Sequence, residues 1–415
     1  MNINNKLTLK RNFSWVFLGN IIFAFGQWAI LSIMTKLVMV EEVGNFSYAI
    51  AITAPIVLFF EMQMRSVQVT DTKDEYNFND YFGFRLTSSL ISFGFANIIS
   101  LLLGNGLKMT MLIASVALMK LSDSVSDIFY GLFQKHEYMK YIAISRIIKS
   151  VITIISFGIA LYVTKNIVIS ILLITLLKII VILIYDFRKA KIYTDVTPKF
   201  SYTIFKKLLI VSFPLGMMSL LMSLDSNVSR YVMKHYEGPE SLGYFSALSY
   251  INMAGGQMIT SVAQAVTPRL AIFYSAGNKK AFKNLLIKLT LFGFIIGIFS
   301  VLFVVFLGED LITILYSKEY AKHLDVFIII MIAGAIDYTG SFLGNGMTAA
   351  RAFKIQPFLG GIWVIASLAI SLMMIPRFGL LGGAVALVIS SIVKIITKTL
   401  VIWKLLKLSK GVHFE

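Results

Sequence analysis

Cysteine is absent from all 415 residues, which excludes disulfides and thiolate-ligated metal sites. Charge is scarce: Asp, Glu, Lys and Arg make up 14% of the chain, where soluble domains carry about 25%. Acid is the scarcer sign, 21 residues against 38 basic ones, leaving a net charge of +17. Histidine occurs four times, at 136, 235, 323 and 413, each expected in a loop or the tail, so no imidazole relay runs through the interior. There is no HExxH zinc pattern and no nucleotide-binding glycine loop. No cofactor and no metal site is expected. What is abundant is apolar: 57% of residues are hydrophobic and the mean hydropathy is +0.80.

Such a chain is expected to be an all-α polytopic membrane protein. About 20 apolar residues span the hydrocarbon of a bilayer, and runs of that kind occur twelve times. The first six spans are Phe13–Val38, Asn45–Arg65, Phe82–Gly104, Met109–Phe133, Ile142–Val163 and Asn166–Asp186. The second six are Leu208–Met233, Leu242–Pro268, Leu285–Gly308, Val326–Asn345, Phe358–Ile375 and Leu380–Leu405. With both termini in the cytosol, and basic residues in the outer parts of a span counted with the side they adjoin, twenty-five Lys and Arg fall on the cytosolic side. Only seven fall on the outer side: Lys108, Lys165, Lys234, Lys318, Lys322 and Arg377, with Lys36 at the outer end of span 1. Positive charge stays on the cytosolic side of a membrane, and that bias sets the orientation. It also places the +17 charge at a membrane surface rather than on nucleic acid. The amino-terminal Lys6, Lys10 and Arg11 look like a signal peptide's charged region, but the apolar run behind them is too long to be cleaved and reads as an uncleaved first span.

The chain divides into two lobes, 1–190 and 208–415, joined by a basic cytosolic linker, 191–207. The lobes repeat. EEVGNFSYA (Glu41–Ala49) follows span 1 and ESLGYFSAL (Glu240–Leu248) follows span 7, sharing G-x-F-S. LLITLLKII (Leu172–Ile180) matches LVISSIVKII (Leu387–Ile396) around Lys178 and Lys394. Six spans per lobe make this a parallel repeat with a pseudo-twofold axis, and a substrate path is expected in a cavity between the lobes.

Charges inside the spans single out candidate site residues. Lys178 and Lys394 lie too deep to snorkel to an interface; each is either a cavity-facing cation for an anionic substrate or one half of a structural ion pair. Arg85 and Arg230 sit one turn from a span end, where snorkelling competes with substrate contact. Lys120, Asp123 and Asp127 share one face of span 4, as an internal ion-pair ladder or as the wall of a hydrated cavity. Asp127, Asp225 and Asp337 are the acids best placed to exchange a proton or bind sodium. Further polar stripes comprise Asn20 with Gln27, Gln257 with Ser261 and Gln264, and Asp337 with Ser341 and Gly344. Pro55 and Pro214 are expected to kink spans 2 and 7.

Twelve spans in two lobes, the repeated G-x-F-S, the basic central loop and the proline-bearing passage FPLGMMSLLMSLDSNVSRYVM (Phe213–Met233) resemble the multidrug/oligosaccharidyl-lipid/polysaccharide flippase superfamily, and within it the Wzx-type flippases of O-antigen and capsule units. The resemblance extends over essentially the whole chain. It implies transport of undecaprenyl-diphosphate-linked oligosaccharides from the inner to the outer leaflet of the bacterial cytoplasmic membrane, by alternating access through a cationic cavity. Lys178, Lys394, Arg230, Arg85 and Lys120 are this sequence's candidates for the cavity lining, and Asp123, Asp127, Asp225 and Asp337 for ion coupling or ion pairing. The implied partners are the lipid-linked sugar, membrane lipids and a proton or sodium ion. A cation-coupled drug exporter of the same fold and a peptidoglycan-precursor flippase are the alternatives within the fold. A glycan polymerase or ligase would need a large external loop, and the longest here, Gly308–Asp325, is short.

Overall fold

The computed structural model describes residues 9–71 and 73–407; Lys6, His413 and the side chain of Gln264 lie outside the described residues. Helices α1 (Leu9–Leu37), α2 (Val40–Glu61), α3 (Met64–Thr70), α4 (Phe78–Leu102), α5 (Leu107–Lys135), α6 (Met139–Thr164) and α7 (Ile167–Val181) come first. A π-helical turn, Ile182–Asp186, and the short α8 (Phe187–Ala190) close this series. Then follow α9 (Tyr202–Tyr236), α10 (Gly238–Ser275), α11 (Lys279–Leu315), α12 (Lys318–Ala321), α13 (Leu324–Ala349) and α14 (Ile355–Lys407). Among the described residues nine helices are long and apolar enough to cross a membrane. The charged α5 and the polar α10 stand outside those nine, and α14 counts once although Gly379 (φ 56°, ψ −131°) breaks it just after Pro376. Separating those pieces recovers the twelve long segments. His235 falls in the last turn of α9 rather than in a loop.

Local signals start these helices where they begin. Asn77 and Asp80 form a capping box at the head of α4, with Asp80 Oδ2 accepting the Asn77 N–H at 3.0 Å. Asn166 caps α7 and Asn278 caps α11, each through its side-chain oxygen. Helix α2 runs on through Pro55, as α9 does through Pro214, and ends at Met62–Gln63, two left-handed residues in succession (φ 49° and 46°).

The chain forms two compact units, Met1–Met39 with Ala49–Ser223, and Val40–Tyr48 with Leu224–Glu415. In the first, Phe78, Phe82, Phe129 and Phe133 build an aromatic core. The basic loop is strapped onto this unit: Lys199 N–H donates to the Asn79 carbonyl at 3.0 Å, and Gly83 leaves room for the Lys199 backbone. In the second unit α11 lies close on α13, because a Cβ at Gly293 or Gly297 would come within 3 Å of Tyr338 O or Ala335 Cα. The opposite side of α11, with Phe299, Phe303 and Phe306 exposed, is apolar surface suited to lipid.

Candidate functional site

The first unit concentrates its polar chemistry along α5. Asp123 and Asp127 are one turn apart and so project from one face. The expected ladder within α5 is not what forms. Asp123 instead accepts both its bonds from Lys178 on α7, at 3.0 and 3.2 Å, and Asp127 pairs with Arg65 at 3.1 Å and with Arg85 of α4 at 4.0 Å. Both carboxylates are partly exposed, 22% for Asp123 and 31% for Asp127, and each meets its cation end to end from another helix. Lys120 stays a near charge to Glu61 and Lys178. Arg85 does not snorkel: it is 1% exposed, because α4 begins at Phe78 and sets it two turns inside.

Four residues that sequence reasoning passed over complete the cluster. Arg65 also donates from Nε to Gln134 at 2.9 Å. Arg146 on α6 donates to Asn20 of α1. Lys149 donates to Asp186 at 2.6 Å and to Ser126 at 2.5 Å, fully inside the unit. Asp186 is the last residue of the π-helical turn and is fully buried. All three cations surround the Tyr130 ring, with Arg65, Arg146 and Lys149 at 5.8, 5.4 and 5.2 Å from its centroid. The Tyr130 hydroxyl lies 2.9 Å from Ser145 Oγ. The signal for Arg65 and Arg146 is present in the sequence, but both lie at span edges and read as ordinary interfacial arginines.

Arg65 and Arg146 line a cavity of about 160 Å³ together with Gly19, Asn20, Ile142 and Ala143. Gly19 makes this possible: a Cβ there would lie 2.9 Å from Ala143 Cα, so α1 and α6 touch backbone to backbone and Asn20 meets Arg146. Among the described residues no carboxylate lies within ion-pair distance of Arg146. Two guanidinium groups beside a polar cavity form a natural cradle for a phosphate-class anion.

The second unit holds a balanced cluster of its own. Lys394 on α14 donates to Asp225 on α9 at 2.6 Å, and Ser367 donates to the other Asp225 oxygen at 2.7 Å. Asp337 on α13 has Lys394 and Lys398 as its nearest opposite charges. Lys398 lies 5.2 Å above the Trp363 ring. Arg230, expected near the surface, is 6% exposed; it bonds Asn227 at 2.8 Å and stacks over Tyr250. Lys178 and Lys394 are therefore both ion-paired, each to a carboxylate on another helix, which a search within one turn of sequence cannot find. Asp123 and Asp337 sit at nearly the same separation along the chain as Lys178 and Lys394, so each unit repeats a lysine near an acid on the matching helices.

The chain matches a family model described as polysaccharide biosynthesis protein over residues 9–273, and the MatE model over residues 214–356. It is 32% identical over 391 residues to the capsular polysaccharide biosynthesis protein CapF of Staphylococcus aureus, covering 94% of this chain and 98% of the relative. Two solved structures share its fold. An inward-facing multidrug resistance MATE family transporter of the MOP superfamily superimposes with a TM-score of 0.77 at 14% identity, over 95% of this chain and 99% of that one. The lipid II flippase MurJ, in an inward closed conformation, does so with 0.73 at 16% identity, over 94% and 87%. At such identities the likeness is one of fold. Matched over most of its length by the family model and by CapF, this multi-pass membrane protein belongs to the polysaccharide biosynthesis protein family of the multidrug/oligosaccharidyl-lipid/polysaccharide flippase superfamily.

Proposed function

We propose that the chain flips an undecaprenyl-diphosphate-linked oligosaccharide from the cytosolic to the outer leaflet of a bacterial cytoplasmic membrane, for capsule, O-antigen or exopolysaccharide assembly. Both termini lie in the cytosol in this reading, supported by the bias of Lys and Arg. The observation that carries it is the pair Arg65 and Arg146 on one cavity, with Arg146 bonded to a neutral amide. A diphosphate brings two or more negative charges and several acceptor oxygens. In a medium of reduced dielectric two guanidinium groups bind it strongly while repelling a cationic drug. Lys178, Lys394 and Lys120 then act as framework charges, and the neutral Asn20 beside Arg146 leaves that arginine's charge available. Membership of the family and similarity to a capsular polysaccharide protein support the same substrate class.

The test is export in a strain lacking its own flippase for a lipid-linked unit. Full-length protein should restore surface polysaccharide, and Arg146→Gln and Arg65→Gln should each reduce it at least about tenfold while lipid-linked units accumulate inside. Normal export by the double variant would refute the reading.

A further inference from the structure

The break in α2 sets two acids and two arginines against α5 in the first unit. Met62 and Gln63 are left-handed, so Glu61, the last residue of α2, and Arg65, in the first turn of α3, reach positions one turn apart on α5. Glu61 accepts from the Ser124 hydroxyl, and Arg65 donates to Asp127 Oδ1 at 3.1 Å. Arg85 of α4 lies between the two acids. It is the strongest opposite charge on Glu61, and its guanidinium stands 4.0 Å from Asp127 Oδ2.

Arg65 and Arg85 thus face different oxygens of one carboxylate, but they are not equivalent. Arg65 borders the cavity and is 23% exposed; it bonds Asp127, and Gln134 through Nε at 2.9 Å. Arg85 is 1% exposed, and among the described residues none of its three side-chain nitrogens has a hydrogen-bond partner. Buried polar groups are nearly always hydrogen-bonded, and an orphaned one calls for a reason. Packing alone supplies none. A guanidinium taken out of water carries a large cost that bonds to a carboxylate offset. Such a bond, about 2.8 Å long, needs an approach of only about 1 Å. Asp127 is within that reach, but it is already engaged by Arg65.

We propose that Arg85 is the reserve counter-charge of Asp127, a positioning residue that releases Arg65 to the diphosphate of the substrate. This role deepens the anion reading of the Arg65–Arg146 cavity and rests on it. Arg146 is bonded to a neutral amide, whereas Arg65 is tied to a carboxylate. To turn to an anion, Arg65 has to leave Asp127, and a partly buried carboxylate stripped of its cation opposes that move. Arg85 removes the opposition. As Arg65 departs, Asp127 closes on Arg85, and one charge-assisted bond forms for the one that breaks. Glu61 keeps its bond from Ser124, so it neutralises Arg85 by proximity without fixing it in place. Anion binding and the Arg85–Asp127 contact therefore favour each other by the same factor. Arg85 itself does not touch the substrate.

The test is calorimetric titration of inorganic pyrophosphate into full-length protein in lipid nanodiscs. About 0.3 M potassium chloride screens long-range attraction. Glu61→Gln together with Arg85→Gln removes the reserve charge and its acid at once, so the net charge of the interior is unchanged. With Asp127 present this pair should weaken pyrophosphate binding at least about tenfold. Combined with Asp127→Asn, which already releases Arg65, the same pair should change binding by less than about threefold. Arg85→Lys keeps the charge and should retain affinity within about threefold of the unaltered protein. A structure with pyrophosphate bound needs no variant and keeps the test decisive should the double glutamine variant not fold. Arg85 should then lie about 3 Å from Asp127, with Arg65 on the anion. No weakening, equal weakening with and without Asp127, a lysine variant no better than glutamine, or Arg65 still bonded to Asp127 in the complex would each overturn the role of Arg85 and leave the anion reading standing. No pyrophosphate binding by the unaltered protein, or binding that survives Arg65→Gln with Arg146→Gln, overturns the anion reading and the reserve role with it.

Discussion

Gly44 and Gly243 occupy the same place in the two copies of G-x-F-S, and they meet. A Cβ on Gly44 would run into the Pro239 carbonyl and come 3.0 Å from the Gly243 nitrogen, while one on Gly243 would run into the Val40 carbonyl. The first turns of α2 and α10 therefore pack backbone to backbone, and this draws Val40–Tyr48 into the second unit. Lys234 fastens the same place, donating to Asn45 at 2.9 Å and lying over the Tyr48 ring.

Gly44→Ala and Gly243→Ala should each lower stability by about 1–3 kcal/mol, because the neighbouring atoms are backbone and yield little. Gly94 and Gly361 have nothing within 4 Å of a built Cβ, and alanine there should be neutral or stabilising by up to about 1 kcal/mol. Thermal unfolding of the four variants in one detergent checks this. Equal Tm values across all four would show that the contact is not needed.

The Lys394–Asp225 pair is expected to be structural. Lys394→Gln alone strands a carboxylate that is 11% exposed and should cost about 3–5 kcal/mol, whereas Lys394→Gln with Asp225→Asn should recover most of it. Export assays decide between roles. A stable double variant that exports normally makes the pair a fastening, and a stable one that has lost export makes it part of transport.

The loop after α3 should loosen in acid. Partial burial pushes the Asp71 carboxyl up, but the N–H groups of Glu75 and Tyr76 and the Tyr81 hydroxyl, at 3.0, 3.2 and 3.0 Å, outweigh it and set it below its usual value. A lowered folded pKa means stabilisation that is present above the unfolded value of about 3.9 and lost as pH falls through the folded one. Hydrogen exchange at Glu75 and Tyr76, corrected for intrinsic rate, should accelerate below about pH 4. Asp71→Asn should show the faster exchange at every pH; an unchanged profile in that variant would contradict the assignment.

Reporter fusions after Lys207 and after Lys410 should both report cytosol, and one after Lys165 the opposite side, as the distribution of Lys and Arg requires. An external signal at either of the first two would overturn the orientation.

The sequence by itself determined the class of this protein and its segments. Twelve apolar runs, a one-sided distribution of basic residues and the G-x-F-S repeat are properties of composition and order, and the bilayer reads them through length and charge alone. It also marked Lys178, Lys394, Asp123, Asp127, Asp225 and Asp337 as costly residues in need of an explanation. Tertiary structure decided the explanation. Which carboxylate meets which cation depends on helices far apart in the chain, so Lys394 finds Asp225 and Asp127 finds Arg65 only once α9, α14, α5 and the α2 break are packed. Tertiary structure also separated residues that sequence treats alike. Arg65 and Arg146 look like interfacial arginines until the close approach at Gly19 sets them around one cavity. Glu61 looks like a span-end acid until Met62 and Gln63 turn the helix away from it. Burial and strain are set by neighbours in space, and neither is written at any single position in the chain.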